Sequence, residues 1–459
     1  MNRTPLLAWL SLLALGAPLA CAKGQDAAPT GTDSGGPTED TRPALVDTAL
    51  GDALADAPRD GADSSVGEPD APTDAPRDGA ADVDAPGPAD GEADVAPDTL
   101  VVPDTADTAD TADTALPVDA PSSGSTAVVL LGCNAGGLVE ARWTLATSWT
   151  PVTSIAGATC KGPPAAASLS SGALAVARAA DDTLLGARYA TTAWGAFTRA
   201  LAPSTTLDRP ALATTATGAD LAFLDGANTL QGAAYTEATS SWGAREPLPG
   251  AFGPTGPAIA VVLGTPVAVF RGSDTFFYVA ERAGGAWGAA TKIGATVFTT
   301  SAIPPQLVST GAASPEAELV YVGSDDKLYV SSRIGGVFQP AVKVAPGTTD
   351  ASTTKGFAFA RTASVPESFA LAFVGTDGKA YTMLQAFAGG VFTAATAIDA
   401  ATDVGAVALS AGVEGDDAML VIGAGPTAPA RYARLTGSTW STPLALAGAV
   451  DAPALATTP

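Results

Sequence analysis

One layout of four short apolar runs separated by turns recurs seven times between Thr126 and the last residue, and few folds accommodate such a repeat. Its clearest copy lies between Arg209 and Leu248. It reads Pro210-Ala-Leu-Ala-Thr-Thr215, a glycine turn, Leu221-Ala-Phe-Leu224, a turn at Asp225-Gly-Ala-Asn228, Leu230 to Thr236, then Ser-Ser-Trp242-Gly and a last run to Leu248. Short runs bounded by Gly, Asp and Asn read as strands joined by tight turns, so each copy specifies one four-stranded antiparallel sheet. Such a sheet has two apolar faces and covers both only by packing between neighbours. Seven sheets in tandem therefore predict an all-β region, residues 126–459, that forms a seven-bladed β-propeller.

Aromatic residues mark the repeat twice. One opens the last strand of each unit, at Trp149, Trp194, Trp242, Trp287, Phe338, Phe392 and Trp440, with intervals of 45, 48, 45, 51, 54 and 48 residues. A second precedes it, at Trp143, Tyr189, Tyr235, Tyr278, Tyr329, Tyr381 and Tyr432. The last residues, Pro453-Ala-Leu-Ala-Thr-Thr458, repeat Pro210 to Thr215 residue for residue, while the first unit begins with what should be a second strand at Thr126 to Leu131. The C-terminal segment is thus expected to supply the missing first strand of blade one, which closes the ring and leaves no long unpaired edge.

The net charge of −24 belongs mostly to another part of the chain, because residues 22–125 hold 24 acidic and 4 basic side chains. That stretch of Asp, Ala, Pro, Thr and Gly has no aromatic residue. It cannot bury enough apolar surface to offset its ordering entropy and is expected to be a disordered, extended tether. Its Asp-Thr-Ala repeat at 104–115 lacks the glycines and ligand spacing of calcium loops. Ahead of it, residues 1–21 have a basic start at Arg3 and an apolar run from Leu6 to Leu15, the layout of an export signal. The signal ends in Leu15-Gly-Ala-Pro-Leu-Ala-Cys21, which resembles a bacterial lipobox despite Pro18 at the position three before the cysteine. That resemblance implies acylation of Cys21 and anchoring to the cell envelope, at the outer membrane or cell surface; ordinary cleavage after Ala22 is the alternative.

Residues 126–459 carry 23 acidic and 18 basic side chains with no basic cluster, which argues against nucleic acid as a partner. The chain has no histidine, so the usual general base, the commonest metal ligand and every Ser-His-Asp or Cys-His arrangement are missing. Three cysteines are too few for a zinc site built from thiolates alone. No cofactor, metal site or catalytic residue is expected. Paired carboxylates remain the one catalytic option, but Glu140, Glu237, Glu281 and Glu367 share no motif.

The blade pattern, a first strand like Pro-Ala-Leu-Ala, a second like Leu-Ala-Phe-Leu, a Gly/Asp turn, a third ending near Tyr and then Gly-x-Trp or its aromatic equivalent, resembles the seven-bladed fucose-binding lectins and the related tectonin-like propellers. In those proteins an Arg and a Glu bind sugar hydroxyls and a Trp or Tyr packs on the apolar sugar face, in pockets between blades. The resemblance marks Arg142-Trp143, Arg188-Tyr189 and Arg431-Tyr432 as candidate ligand residues in three units; the others have Ala234, Phe277, Leu328 and Ala380 there. Adjacent strand residues point to opposite faces, so a pocket has to combine an Arg from one blade with an aromatic from its neighbour. Packing between blades, with large rings filling the widening gap between sheets, is the plainer reading of the aromatics.

Cys133 and Cys160 flank the outer strands of blade one, whose chain ends emerge on one face of the ring. In an exported protein they are expected to form a disulfide, with two free buried thiols as the alternative. The expected whole is a monomeric surface lipoprotein, held to the membrane only by its lipid. Its propeller serves as a protein-binding or structural module or, alternatively, as a fucose-type lectin; a glycosidase is a distant third, since the sialidase Asp-box is absent.

Overall fold

The computed structural model describes residues 127–459, apart from 191, 203, 346–350, 364–367 and 413–414. The export signal, Cys21, the tether and Thr126 lie outside the described residues. Every described regular element is a β-strand, and the strands form seven antiparallel sheets. Blade three is representative: Ala211–Thr215 lies innermost, followed by Gly218–Leu224, Thr229–Thr236 and an outer strand in two pieces, Ser241–Trp242 and Glu246–Phe252. The outer strand is likewise broken in all other blades except the sixth, where Thr396–Ala397 is its one strand and Phe392 forms an isolated bridge with Gln385. Each innermost strand touches the next around a complete ring.

Burial explains why the second strand reads as a largely apolar run, interrupted by Asp220 in blade three and Glu318 in blade five, rather than as an alternating one. Gly218–Leu224, Ala317–Val322, Phe369–Val374 and Ala418–Gly423 are buried at every residue, because each lies mid-blade with a neighbouring blade on both faces. The turn into the third strand needs one left-handed residue, supplied by Asp182, Asn228, Thr275, Asp326 and Gly378 in five blades.

The ring closes in blade one. Ala452–Thr458 pairs antiparallel with Ala127–Asn134, from Ala127 opposite Thr458 to Cys133 opposite Ala452. Gly137–Thr144 and the outer pieces Ser148–Trp149 and Thr153–Thr159 follow. Cys133 and Cys160 are joined in a disulfide with their Cα atoms 5.8 Å apart. Both are buried against Ala175 and Ala177 of blade two, so the bond ties the closing blade on the side where it meets its successor.

Candidate functional site

The seams between blades are built from alternate residues of the third strand. In each blade one third-strand carbonyl accepts a hydrogen bond from the residue just after the outer aromatic. These carbonyls belong to Arg142, Arg188, Ala234, Glu281, Ser332, Leu384 and Arg434, which therefore occupy one equivalent place. Arg431 is not equivalent to Arg142 and Arg188, although its neighbour Tyr432 suggested so in the sequence: Arg434 holds that place, and Arg431 lies three residues earlier.

The aromatic ladder before the outer strand also divides. Trp143, Tyr189 and Tyr235 pair with Trp149, Trp194 and Trp242, but in blades four to six that place holds Arg282, Arg333 and Gln385. Tyr278, Tyr329 and Tyr381 sit near the opposite end of their strands instead, where each hydroxyl donates to the Asp four residues earlier at 2.9 to 3.1 Å. The spacing to the outer aromatic carried this information. It is 5 to 7 residues in the first three units and 9 to 11 in blades four to six.

Residues of the Arg142 column face the next blade, and those of the Tyr189 column face the previous one. Arg434 lies 5.3 Å from the ring of Trp143 in blade one, and Arg188 reaches Glu237 in blade three. Two residues before the Arg142 column stand Glu140, Gly186, Gly232, Val279, Val330, Thr382 and Tyr432, each beside the outer aromatic of the following blade. Sizes match across several of these seams: Gly232 makes room for Trp287, Val279 packs with Phe338, and Val330 packs with Phe392.

Most cations in the seams are neutralised by the protein itself. Arg188 Nη2 lies 3.2 Å from Glu237 Oε1. Arg282 pairs with Asp220 at 2.8 Å and Glu246 at 3.0 Å, Arg333 with Glu316 at 2.7 Å and Glu281 at 2.5 Å, and Arg434 with Asp416 at 2.5 Å. Arg431 binds Asp399 and Asp403 near the other rim, and Tyr432 packs edge-on against Trp149. Trp143 is buried. Of the six candidate ligand residues, then, Arg188, Arg431, Trp143 and Tyr432 are committed to pairing or packing within the ring.

The seam between blades one and two differs. Arg142 has no carboxylate partner among the described residues, and its Nε is buried without a hydrogen bond. Tyr189, 2 % exposed, comes from blade two with its hydroxyl also unbonded, as is the indole Nε1 of Trp194 beside it. Glu140 shares the strand face of Arg142 and completes the group. Burial pushes the Glu140 carboxyl above its ordinary range, against the lowering pull of the Trp194 backbone. Burial likewise raises the Tyr189 hydroxyl, which feels both the Arg142 cation and the Glu140 carboxyl. A guanidinium, two further donors, a carboxyl and two aromatic rings thus converge from adjacent blades. Unbonded guanidinium Nε and indole Nε1 atoms recur in other seams, at Arg188, Arg282, Arg333, Trp149, Trp287 and Trp440; what sets this seam apart among the described residues is an arginine without a carboxylate beside a buried tyrosine hydroxyl without a partner, and buried polar groups are bonded in the large majority of cases. Arg142 and Tyr189 are the two candidates the ring brings together; Glu140 and Trp194 join them, although no motif singled out Glu140.

Concavities lie elsewhere in the ring: between blades two and three, one of about 540 Å³ is lined by Asp181, Arg199, Asp225 and Arg245, and one of about 410 Å³ by Leu201, Trp242 and Arg245. A groove of about 600 Å³ between blades six and seven is lined by Thr382, Leu384, Thr396, Trp440 and Ser441 and has no charged wall. The axial channel, about 530 Å³, runs along the innermost strands past Leu212, Ile259, Phe359, Arg361 and Leu455. Among the described residues no group of three or more Cys, Asp and Glu could hold a metal ion.

No protein-family model matches the sequence, and no curated protein matches it. Solved structures do. The BP39L lectin from Burkholderia pseudomallei superposes with a TM-score of 0.59 at 15 % identity, over 70 % of this chain and 96 % of the lectin. AofleA from Arthrobotrys oligospora gives 0.48 at 11 % identity over 66 % and 95 %, and the fucose-specific lectin from Aleuria aurantia gives 0.42 at 14 % over 62 % and 96 %. At such identities the likeness to the Burkholderia protein is one of fold. It agrees with the seven-bladed propeller traced by the strands.

Proposed function

We propose that the propeller is a binding module for a saccharide, which it takes at the seam of blades one and two through Glu140, Arg142, Tyr189 and Trp194. One observation carries this reading: Arg142 is the seam arginine without an internal carboxylate, set beside two unbonded buried donors and two rings. Sugar rings offer apolar faces for aromatic side chains and a rim of hydroxyls for charged groups, which is the chemistry gathered there. That the Burkholderia pseudomallei protein of like fold is named a lectin supports the same ligand class. The export signal and the lipobox-like Cys21 support display of this module on the cell envelope at the end of the tether. The sequence shows no catalytic constellation, which favours binding without turnover.

The test is a glycan array probed with the full chain and with its Arg142→Gln variant. Retention on a defined set of sugars, lost in the variant, is the expected result. If no sugar retains the wild-type chain, the saccharide reading is wrong and a protein-binding or structural role takes its place.

A further inference from the structure

We infer that the saccharide taken at this seam carries an anionic group, a carboxylate or a sulfate, in place of the hydroxyls of a neutral sugar. The inference rests on the reading of the seam as a saccharide site and concerns which saccharides fit. Its basis is the balance of donors and acceptors. Arg142 and the Trp194 indole can only donate, and the Tyr189 hydroxyl lacks a partner on either side. Glu140 is the one strong side-chain acceptor of the group, and it is already engaged by the Trp194 backbone. Every sugar hydroxyl buried in the seam brings a proton that needs an acceptor, and such a wall supplies few. A carboxylate or sulfate brings lone pairs alone and a charge opposite to that of Arg142.

The neighbouring seam shows what an arginine in this column pairs with when the protein supplies the partner. Arg188, equivalent to Arg142, faces the carboxylate of Glu237, which reaches across from blade three and also accepts from the backbone N–H groups of Ser170 and Ser171 at 3.1 and 3.0 Å. Hydrogen bonds from those serines hold the Glu237 carboxyl below its usual range although burial alone would raise it. Glu237 lies two residues after Tyr235. Two residues after Tyr189 the sequence has Thr191, so blade two has no acid at the corresponding point of the chain. The ligand's anionic group thus replaces an internal carboxylate that the adjacent seam possesses.

Glu140 gives the test its direction, because its charge opposes an anion but would serve a neutral sugar as hydroxyl acceptor. The full chain is titrated calorimetrically with glucuronic acid and galactose 6-sulfate, and with glucose, galactose and fucose as neutral counterparts. At least one acidic sugar is expected to bind more tightly than its neutral counterpart, and whether that is the carboxylate or the sulfate identifies the group. Arg142→Gln should weaken that binding about tenfold or more, the scale of one lost charged hydrogen bond, and Glu140→Gln should strengthen it. Thermal melting of both variants checks that they remain folded. Neutral sugars binding as tightly as acidic ones, with Glu140→Gln weakening them, would overturn the anionic inference and leave the saccharide site in place. Binding to no sugar of either kind would remove the site itself.

Discussion

The indole of Trp287 in blade four occupies the space above Gly232 in blade three, and a Cβ on that glycine would overlap Nε1 of the ring. The two residues are 55 positions apart in the chain, yet the absence of a side chain on one is what admits the other. The contact illustrates how the ring is held. Each blade is a similar sheet, but several seams have a fitted pair of their own.

Replacing Gly232 by Val should therefore act as overpacking rather than as a change of strand preference. The valine meets the ring of Trp287 and forces the two blades apart, at a cost of about 1–3 kcal/mol. Thermal unfolding should show the loss. The double variant Gly232→Val with Trp287→Phe, which recreates the Val–Phe pairing seen between Val279 and Phe338, should recover part of it.

Deleting residues 451–459 removes the innermost strand of blade one and exposes the ladder of Ala127–Asn134. That strand also touches the innermost strands of blades two and seven, so its loss opens the ring on both sides. The expected outcome is a large drop in the melting temperature with loss of a single cooperative transition. Melting identical to that of the intact chain would contradict closure by this segment.

The Cys133–Cys160 bond closes a loop with a sequence separation of 27 residues in the closing blade. The loop-entropy relation gives about 3.5 kcal/mol for its contribution. Replacing both cysteines by Ala should lower stability by about that amount at most. Alkylation of the denatured, unreduced full chain should label no thiol other than that of Cys21, whereas two additional labels would show the bond absent in solution.

Glu318 is fully buried between blades five and six and accepts hydrogen bonds from Gln385 at 3.0 Å and from the Gly389 N–H at 2.6 Å, while its Oε2 has no partner. Burial raises its carboxyl above the ordinary value of 4.5, and these two bonds only partly offset the effect. The folded state therefore holds this proton more tightly than the unfolded chain does. Stability from this group is full below the unfolded value and declines as pH rises through the folded one. Glu318→Gln keeps the two bonds without the charge. Its melting temperature should exceed that of the wild type at neutral pH, and the difference should shrink towards pH 4 in a pH series of thermal melts.

Much of the architecture was legible because it is written locally. Turn residues such as Asp225-Gly-Ala-Asn228, the largely apolar second strands and the outer aromatics each act within one blade. The repetition of Pro210-Ala-Leu-Ala-Thr-Thr215 at Pro453 to Thr458 was enough to indicate where the ring closes. Local spacing also misled, since Tyr432 follows Arg431 just as Tyr189 follows Arg188. A slip of three residues along a strand puts a side chain on the opposite face, and only the pairing of Leu435 with Trp440 establishes that Arg434 is the true counterpart.

The identity of the site depended on the ring. Sequence could supply arginines in the right strands, but not which of them met a carboxylate, because the partners come from other strands or from the next blade. Arg188 and Arg142 have similar neighbours along the chain, and they differ because Glu237 reaches the first while no acid among the described residues reaches the second. Strand propensity and turn chemistry are short-range and therefore determined the fold from the sequence alone. Charge compensation across a seam acts between residues brought together only by closure, and so the tertiary structure decided which arginine was left for a ligand.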